Sequence, residues 1–112
     1  MTLQIIGTKK SSDTRKAVRF CKERSIPYQL IDLQERMISP GELSHVLRYH
    51  EAADLIDTTS KFYQKQGYSY LDYDPVEEIL EHHELLVLPI IRMDRNVLLG
   101  FDAKALMSAL KG

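Results

Sequence analysis

The stretch Leu88–Phe101, LPIIRMDRNVLLGF, breaks the pattern of the fifty residues before it. Upstream, apolar residues recur at helical spacing among charged ones. Here Leu88 to Met93 forms a short apolar run, Asp94-Arg95-Asn96 interrupts it, and Val97 to Phe101 follows as a second run. Two apolar runs joined by a short polar turn read as a β-hairpin. Asp102 is then placed to cap a last helix carrying Ala105, Leu106, Ala109 and Leu110. The chain ends as ββα.

Its beginning has a complementary order. Leu3, Ile5 and Ile6 with Gly7 read as a strand and its exit, and Asp13 to Arg24 carries Ala17, Val18, Phe20 and Cys21 at helical spacing. Ile26-Pro27 breaks that helix, and YQLIDL, Tyr28 to Leu33, is a second strand. A strand, a helix and a strand this close together form a βαβ unit with a right-handed crossover and parallel pairing.

The middle is helical. Ser39, Pro40 and Glu42 form a capping box with proline at the first helical position, and Leu43, Val46 and Leu47 make the core face. Leu55 and Ile56 close a short further turn. TSKFYQKQG puts Phe62 and Tyr63 on one side and stops at Gly67, and Asp74, Pro75 and Glu77 repeat the start signal ahead of Val76, Ile79 and Leu80. A βαβ half joined to a ββα half is the thioredoxin-like order. The expected architecture is therefore α/β, a mixed sheet in a single domain over residues 1–112, with a helical insert at about 35–85. In that fold Pro89, at the start of the third strand, is expected to follow a cis peptide bond.

Bulk composition narrows the function classes. The 112 residues include 15 basic and 16 acidic side chains, a formal net charge of −1, which gives no reason to expect nucleic acid or an anionic membrane as a partner. One cysteine, Cys21, excludes an internal disulfide and a CxxC pair. The N-terminal MTLQIIG is too short and polar for a signal peptide, and no apolar run approaches the roughly 20 residues of a membrane span. A cytoplasmic protein without a cofactor is the expectation.

DTRKA after the first strand, IPYQLIDL, SPGELSHVLR, TTSKFYQKQGY, ILEHHELLVLPII and LLGFDAKAL together resemble the arsenate reductase (ArsC) and Spx family, and the likeness covers essentially the whole chain. The family shows an RKA helix start, an S-x-x-E-L helix, an arginine-proline-isoleucine strand and a glycine-aromatic ending at corresponding places. The resemblance implies a nucleophilic cysteine in the loop before the first helix, where this chain has Ser11. Spx-type members carry a second cysteine three residues on, where Thr14 stands. Family arginines around the oxyanion correspond to Thr59 and to Leu88, directly before Pro89, with Phe101 at a third such place.

Thiol chemistry is therefore not expected. Arsenate reduction needs a thiolate to attack arsenic and a second thiol to resolve the adduct. A serine nucleophile needs an adjacent base, and His45, His50, His82 and His83 all lie in or at the edge of the insert. Ser11 reads as a helix cap or loop residue, and Cys21, on the Ala17–Phe20 face, as core. The histidine spacings do not resemble a zinc site. Backbone N–H groups at a helix start can still bind an anion, with Lys9, Lys10, Ser11, Ser12 and Arg15 around them, unless Asp13 occupies those groups as a cap. Tyr68, Tyr70 and Tyr73 in YSYLDY read as edge packing or an interaction surface. The resemblance implies an ArsC-like protein without reductase activity, in a binding or regulatory role. The alternatives are an Spx-like regulator contacting RNA polymerase and a glutaredoxin-related thiol- or anion-binding enzyme. The corresponding partners are a protein, a thiol peptide or a small oxyanion.

Overall fold

The computed structural model describes residues 3–111, so the expected domain limits at Met1 and Gly112 lie outside the described residues. Contacts group the chain into two compact units, one formed by the segments up to Arg36 and from Leu88 onward, the other by Met37–Val87.

The first unit holds the sheet. Strand β1 (Leu3–Gly7) leads into helix α1 (Ser12–Glu23), which returns the chain to β2 (Tyr28–Asp32). After the second unit come β3 (Ile90–Met93), β4 (Asn96–Leu99) and a C-terminal helix over Ala103–Lys111. The strand order is β2-β1-β3-β4, with β1 parallel to β2 and antiparallel to β3, and β3 antiparallel to β4. This is the mixed sheet and thioredoxin-like order expected from the sequence. The Leu88–Pro89 peptide bond is cis, also as expected.

Side-chain alternation explains the core. Leu3 and Ile5 of β1 point to the same face as Ile91 and Met93 of β3, and there they meet Ala17, Phe20 and Cys21 of α1 and Leu106 of the C-terminal helix. Burying those side chains is the main stabilisation available to a sheet this small. Toward the opposite face, Gln4 joins its neighbours by polar bonds, to Gln29 Oε1 at 3.0 Å and from Arg92 Nε at 2.8 Å. Several element ends differ from the sequence expectation: α1 runs Ser12–Glu23 and not Asp13–Arg24, β2 stops at Asp32 and not Leu33, and β3 begins at Ile90, after the Leu88–Pro89 bond. The fourth strand ends at Leu99 because Gly100 turns the chain with φ +76°, and Leu110 in the final turn is 37% exposed instead of facing the core.

In the second unit the helices are α2 (Pro40–Val46), α3 (Lys61–Lys65) and α4 (Pro75–Glu81), with the C-terminal helix becoming α5. The capping box is present in full: Ser39 Oγ accepts from Glu42 N at 3.1 Å and Glu42 Oε1 accepts from Ser39 N at 3.0 Å. Ser60 and Asp74 cap α3 and α4. Asp57 N donates to Leu85 O at 2.7 Å and Val87 N to Leu55 O at 2.8 Å, an antiparallel clip that closes the unit on itself.

The tyrosine stretch is not one edge. Tyr68 is buried and Tyr70 is 93% exposed. Gly67, at φ +70°, starts a 3₁₀ turn over Tyr68–Tyr70, so alternate tyrosines diverge. Tyr68 stacks on Tyr63 at 5.7 Å, meets Tyr73 edge-on at 5.0 Å, and donates its hydroxyl proton to Glu78 Oε1 at 2.7 Å. Burial, with the Glu78 carboxylate beside it, pushes the Tyr68 hydroxyl up to about 12. An unfolded tyrosine ionises near 10. The unfolded chain therefore loses this proton first, and folding stability falls as pH rises from about 10 to 12. Denaturant unfolding across that range is expected to show the fall, and Tyr68→Phe to lessen it.

The end of β1 and the start of α1 meet without clearance. A Cβ on Gly7 would run into the Thr14 side chain, so only glycine fits. Thr14 is 2% exposed and its Oγ1 is buried without a hydrogen-bond partner. Two substitutions separate shape from polarity at this contact. Gly7→Ala is expected to cost about 1–3 kcal/mol through overpacking. Thr14→Val, which keeps the shape and deletes the orphan hydroxyl, is expected to gain about 1 kcal/mol. Urea unfolding of each variant measures both.

Candidate functional site

The sheet register places the loop of interest. Ile6 of β1 lies opposite Ile90 of β3 in an antiparallel pair, so the exit of β1 and the approach to β3 are neighbours at one end of the sheet. The loop Thr8–Ser11 and the cis Pro89 therefore emerge side by side. Gly100 N donates to Pro89 O at 2.8 Å and holds that approach in place.

Within the loop, Ser11 is the helix cap. Its backbone is extended (φ −76°, ψ 119°), its carbonyl accepts from Arg15 N at 3.1 Å, and its Oγ accepts from Thr14 N at 3.2 Å. The competing cap considered from sequence, Asp13, already lies inside the first helical turn and instead pairs with Lys16 at 3.6 Å. The hydroxyl of Ser11 thus satisfies one of the unpaired N–H groups of the helix start.

The remaining candidates separate. Thr14 is buried against Gly7. Arg15 Nη1 donates to Lys9 O at 2.7 Å, tying the first turn of α1 back to the loop, while Lys10 and Ser12 are exposed. Leu88 is half-buried ahead of Pro89. Phe101 is a core partner of α1, its ring edge-on to Phe20 at 5.6 Å. Thr59 belongs to the second unit, where its N–H and hydroxyl both donate to Asp57 Oδ1, at 3.0 and 2.6 Å. The four histidines are in that second unit as well.

Cys21 has no access to solvent, and burial pushes its thiol up from the usual range, so it stays protonated near neutral pH. No helix among the described residues is long and apolar enough to cross a membrane.

A second feature escaped the sequence reading. Lys9, Arg15, Arg19 and Lys22 rim a groove of about 400 Å³ between α1 and β2, floored by Val18, Tyr28 and Leu30. The signal lay in the spacing of residues 15, 18, 19 and 22, one helical face. It could be recognised only once β2 was placed beside that face.

No protein-family model matches the sequence, and no curated protein matches it. Solved structures do match. A YffB protein superposes with a TM-score of 0.85 at 20% identity, over 96% of this chain and 98% of the other. A protein related to the ArsC family from Bacteroides fragilis gives 0.82 at 16% identity, over 96% and 97%. An arsenate reductase from Vibrio cholerae gives 0.75 at 18%, over 99% and 97%. At such identities the likeness is one of architecture, and it spans both chains nearly end to end. This chain has the fold of the ArsC-type, thioredoxin-like proteins.

Proposed function

We propose that the chain is a divergent member of the ArsC-like family that carries out no arsenate reduction and serves as a binding or regulatory protein of the cytoplasm. The observation that carries this reading is the state of its two candidate nucleophiles. Ser11 stands in the loop beside the cis-proline, but its hydroxyl oxygen accepts from Thr14 N as a helix cap, and a hydroxyl cannot undergo the two-electron exchange of a thiol. The one sulfhydryl, Cys21, is enclosed in the core. Neither can begin the reaction. Leu88 and Phe101 offer no charge to an oxyanion, and Thr59 is engaged with Asp57. What supports a binding role is the retention of the whole architecture, including the cis-proline approach, without the reactive group.

The test is an arsenate assay with glutathione or dithiothreitol as reductant. The native protein is expected to show no turnover above buffer; turnover abolished by Ser11→Ala would overturn the proposal. Ser11→Cys supplies the control. A thiol at the N-cap of α1 faces the positive end of the helix, so its pKa is expected below the ordinary value of about 8.5. Iodoacetamide should alkylate that variant rapidly and leave the native protein, with Cys21 alone, unmodified. Arsenate turnover should stay absent in Ser11→Cys, because the cationic groups are not restored with the sulfur.

A further inference from the structure

The groove along α1 differs chemically from the loop beside Pro89. Arg15, Arg19 and Lys22 come from one face of α1, and Lys9 joins them from the loop. No acidic side chain lines it, and the nearest acid of the first turn, Asp13, pairs with Lys16. In a chain of net charge −1, four of the 15 cationic side chains are gathered on this one feature. These exposed cations give the groove a positive potential that attracts anions.

The floor is apolar. Val18, Tyr28 and Leu30 are half-buried between α1 and β2, the terminal strand of the sheet. An aromatic ring over aliphatic side chains is a surface for a flat apolar body. A volume of about 400 Å³ matches a small organic molecule. Arginine heads suit phosphate because their planar fork can donate two parallel hydrogen bonds. The bond from Arg15 to Lys9 O fixes that end of the rim in advance of any ligand, which lowers the ordering cost of binding.

We propose that this groove is a binding site for a small organic anion bearing two or more negative charges on a ring-containing apolar body, of the kind represented by a nucleoside diphosphate. The charged groups lie along the Arg15–Arg19–Lys22 rim, and the ring lies on Tyr28, Val18 and Leu30. The proposal gives the binding role above a chemical class, but it uses none of the Ser11 chemistry. Arsenate turnover by the native protein would overturn that reading and leave the groove untouched.

The test is an amide NMR titration of the full chain with ADP, inorganic pyrophosphate, adenosine and a short oligoglutamate as separate probes. ADP is expected to give saturable shifts confined to residues 9–22 and 28–30, with pyrophosphate about tenfold weaker and adenosine not saturating. Combined Arg19→Glu and Lys22→Glu should weaken ADP by about tenfold or more. Both sites are exposed, so the amide spectrum should otherwise stay native. Tyr28→Ala should reduce ADP affinity about tenfold and leave pyrophosphate unchanged. The proposal is overturned by absence of saturable shifts, by shifts that survive the charge reversal, by pyrophosphate binding as tightly as ADP, or by oligoglutamate alone saturating the groove.

Discussion

β1 is hydrogen-bonded along both sides, parallel to β2 and antiparallel to β3, and the rest of the first unit follows from that double pairing. The parallel side cannot be closed by a tight turn; it needs a crossover, and α1 supplies it on the face where Leu3 and Ile5 are apolar. The antiparallel side brings the start of β3, and with it Pro89, to the end where β1 gives way to the loop. Gly7 closes the constraint, because Thr14 occupies the space a side chain would need. The loop is thus held between a strand end, a helix start and a cis-proline before any question of chemistry arises.

Within that frame the same physics serves two incompatible uses. The unpaired N–H groups at the start of α1 can lower the pKa of a thiol or be satisfied by a cap. Ser11 takes the second course, with its oxygen on Thr14 N. Of the neighbouring cations, four line the groove beside α1. Arg15 is drawn to Lys9 O, and with Arg19 and Lys22 it faces the groove along the helix. Charge in this region thus runs along the side of α1, where the proposed anion would lie.

Much of the architecture was legible in the sequence, because strand and helix periods, the Ser39–Glu42 box and the Asp102 cap are local signals. Asp102 indeed accepts from Lys104 N and Ala105 N. What the sequence left open or hid has particular physical causes. Which of Ser11 and Asp13 caps α1 depends on where the backbone leaves the extended region, and three successive polar residues, Ser11, Ser12 and Asp13, hide that point. The split of Tyr68 from Tyr70 depends on the left-handed Gly67 and on Glu78, ten residues beyond Tyr68, receiving its hydroxyl. The basic groove was invisible because Tyr28 and Leu30 meet α1 only through the parallel pairing of β2 with β1. Of the candidate site, the loop and Pro89 were readable; the destination of its cations was not.

Cys21 has a consequence unrelated to catalysis. It is the one sulfhydryl of the chain, and it lies in the cluster where α1, β1, β3 and α5 converge. A reagent can reach it only when that cluster parts. The rate at which it becomes modified under native conditions therefore reads the opening equilibrium of the sheet-bearing unit, at a single site and without an engineered label. A side chain with no part in turnover makes the protein its own gauge of core integrity.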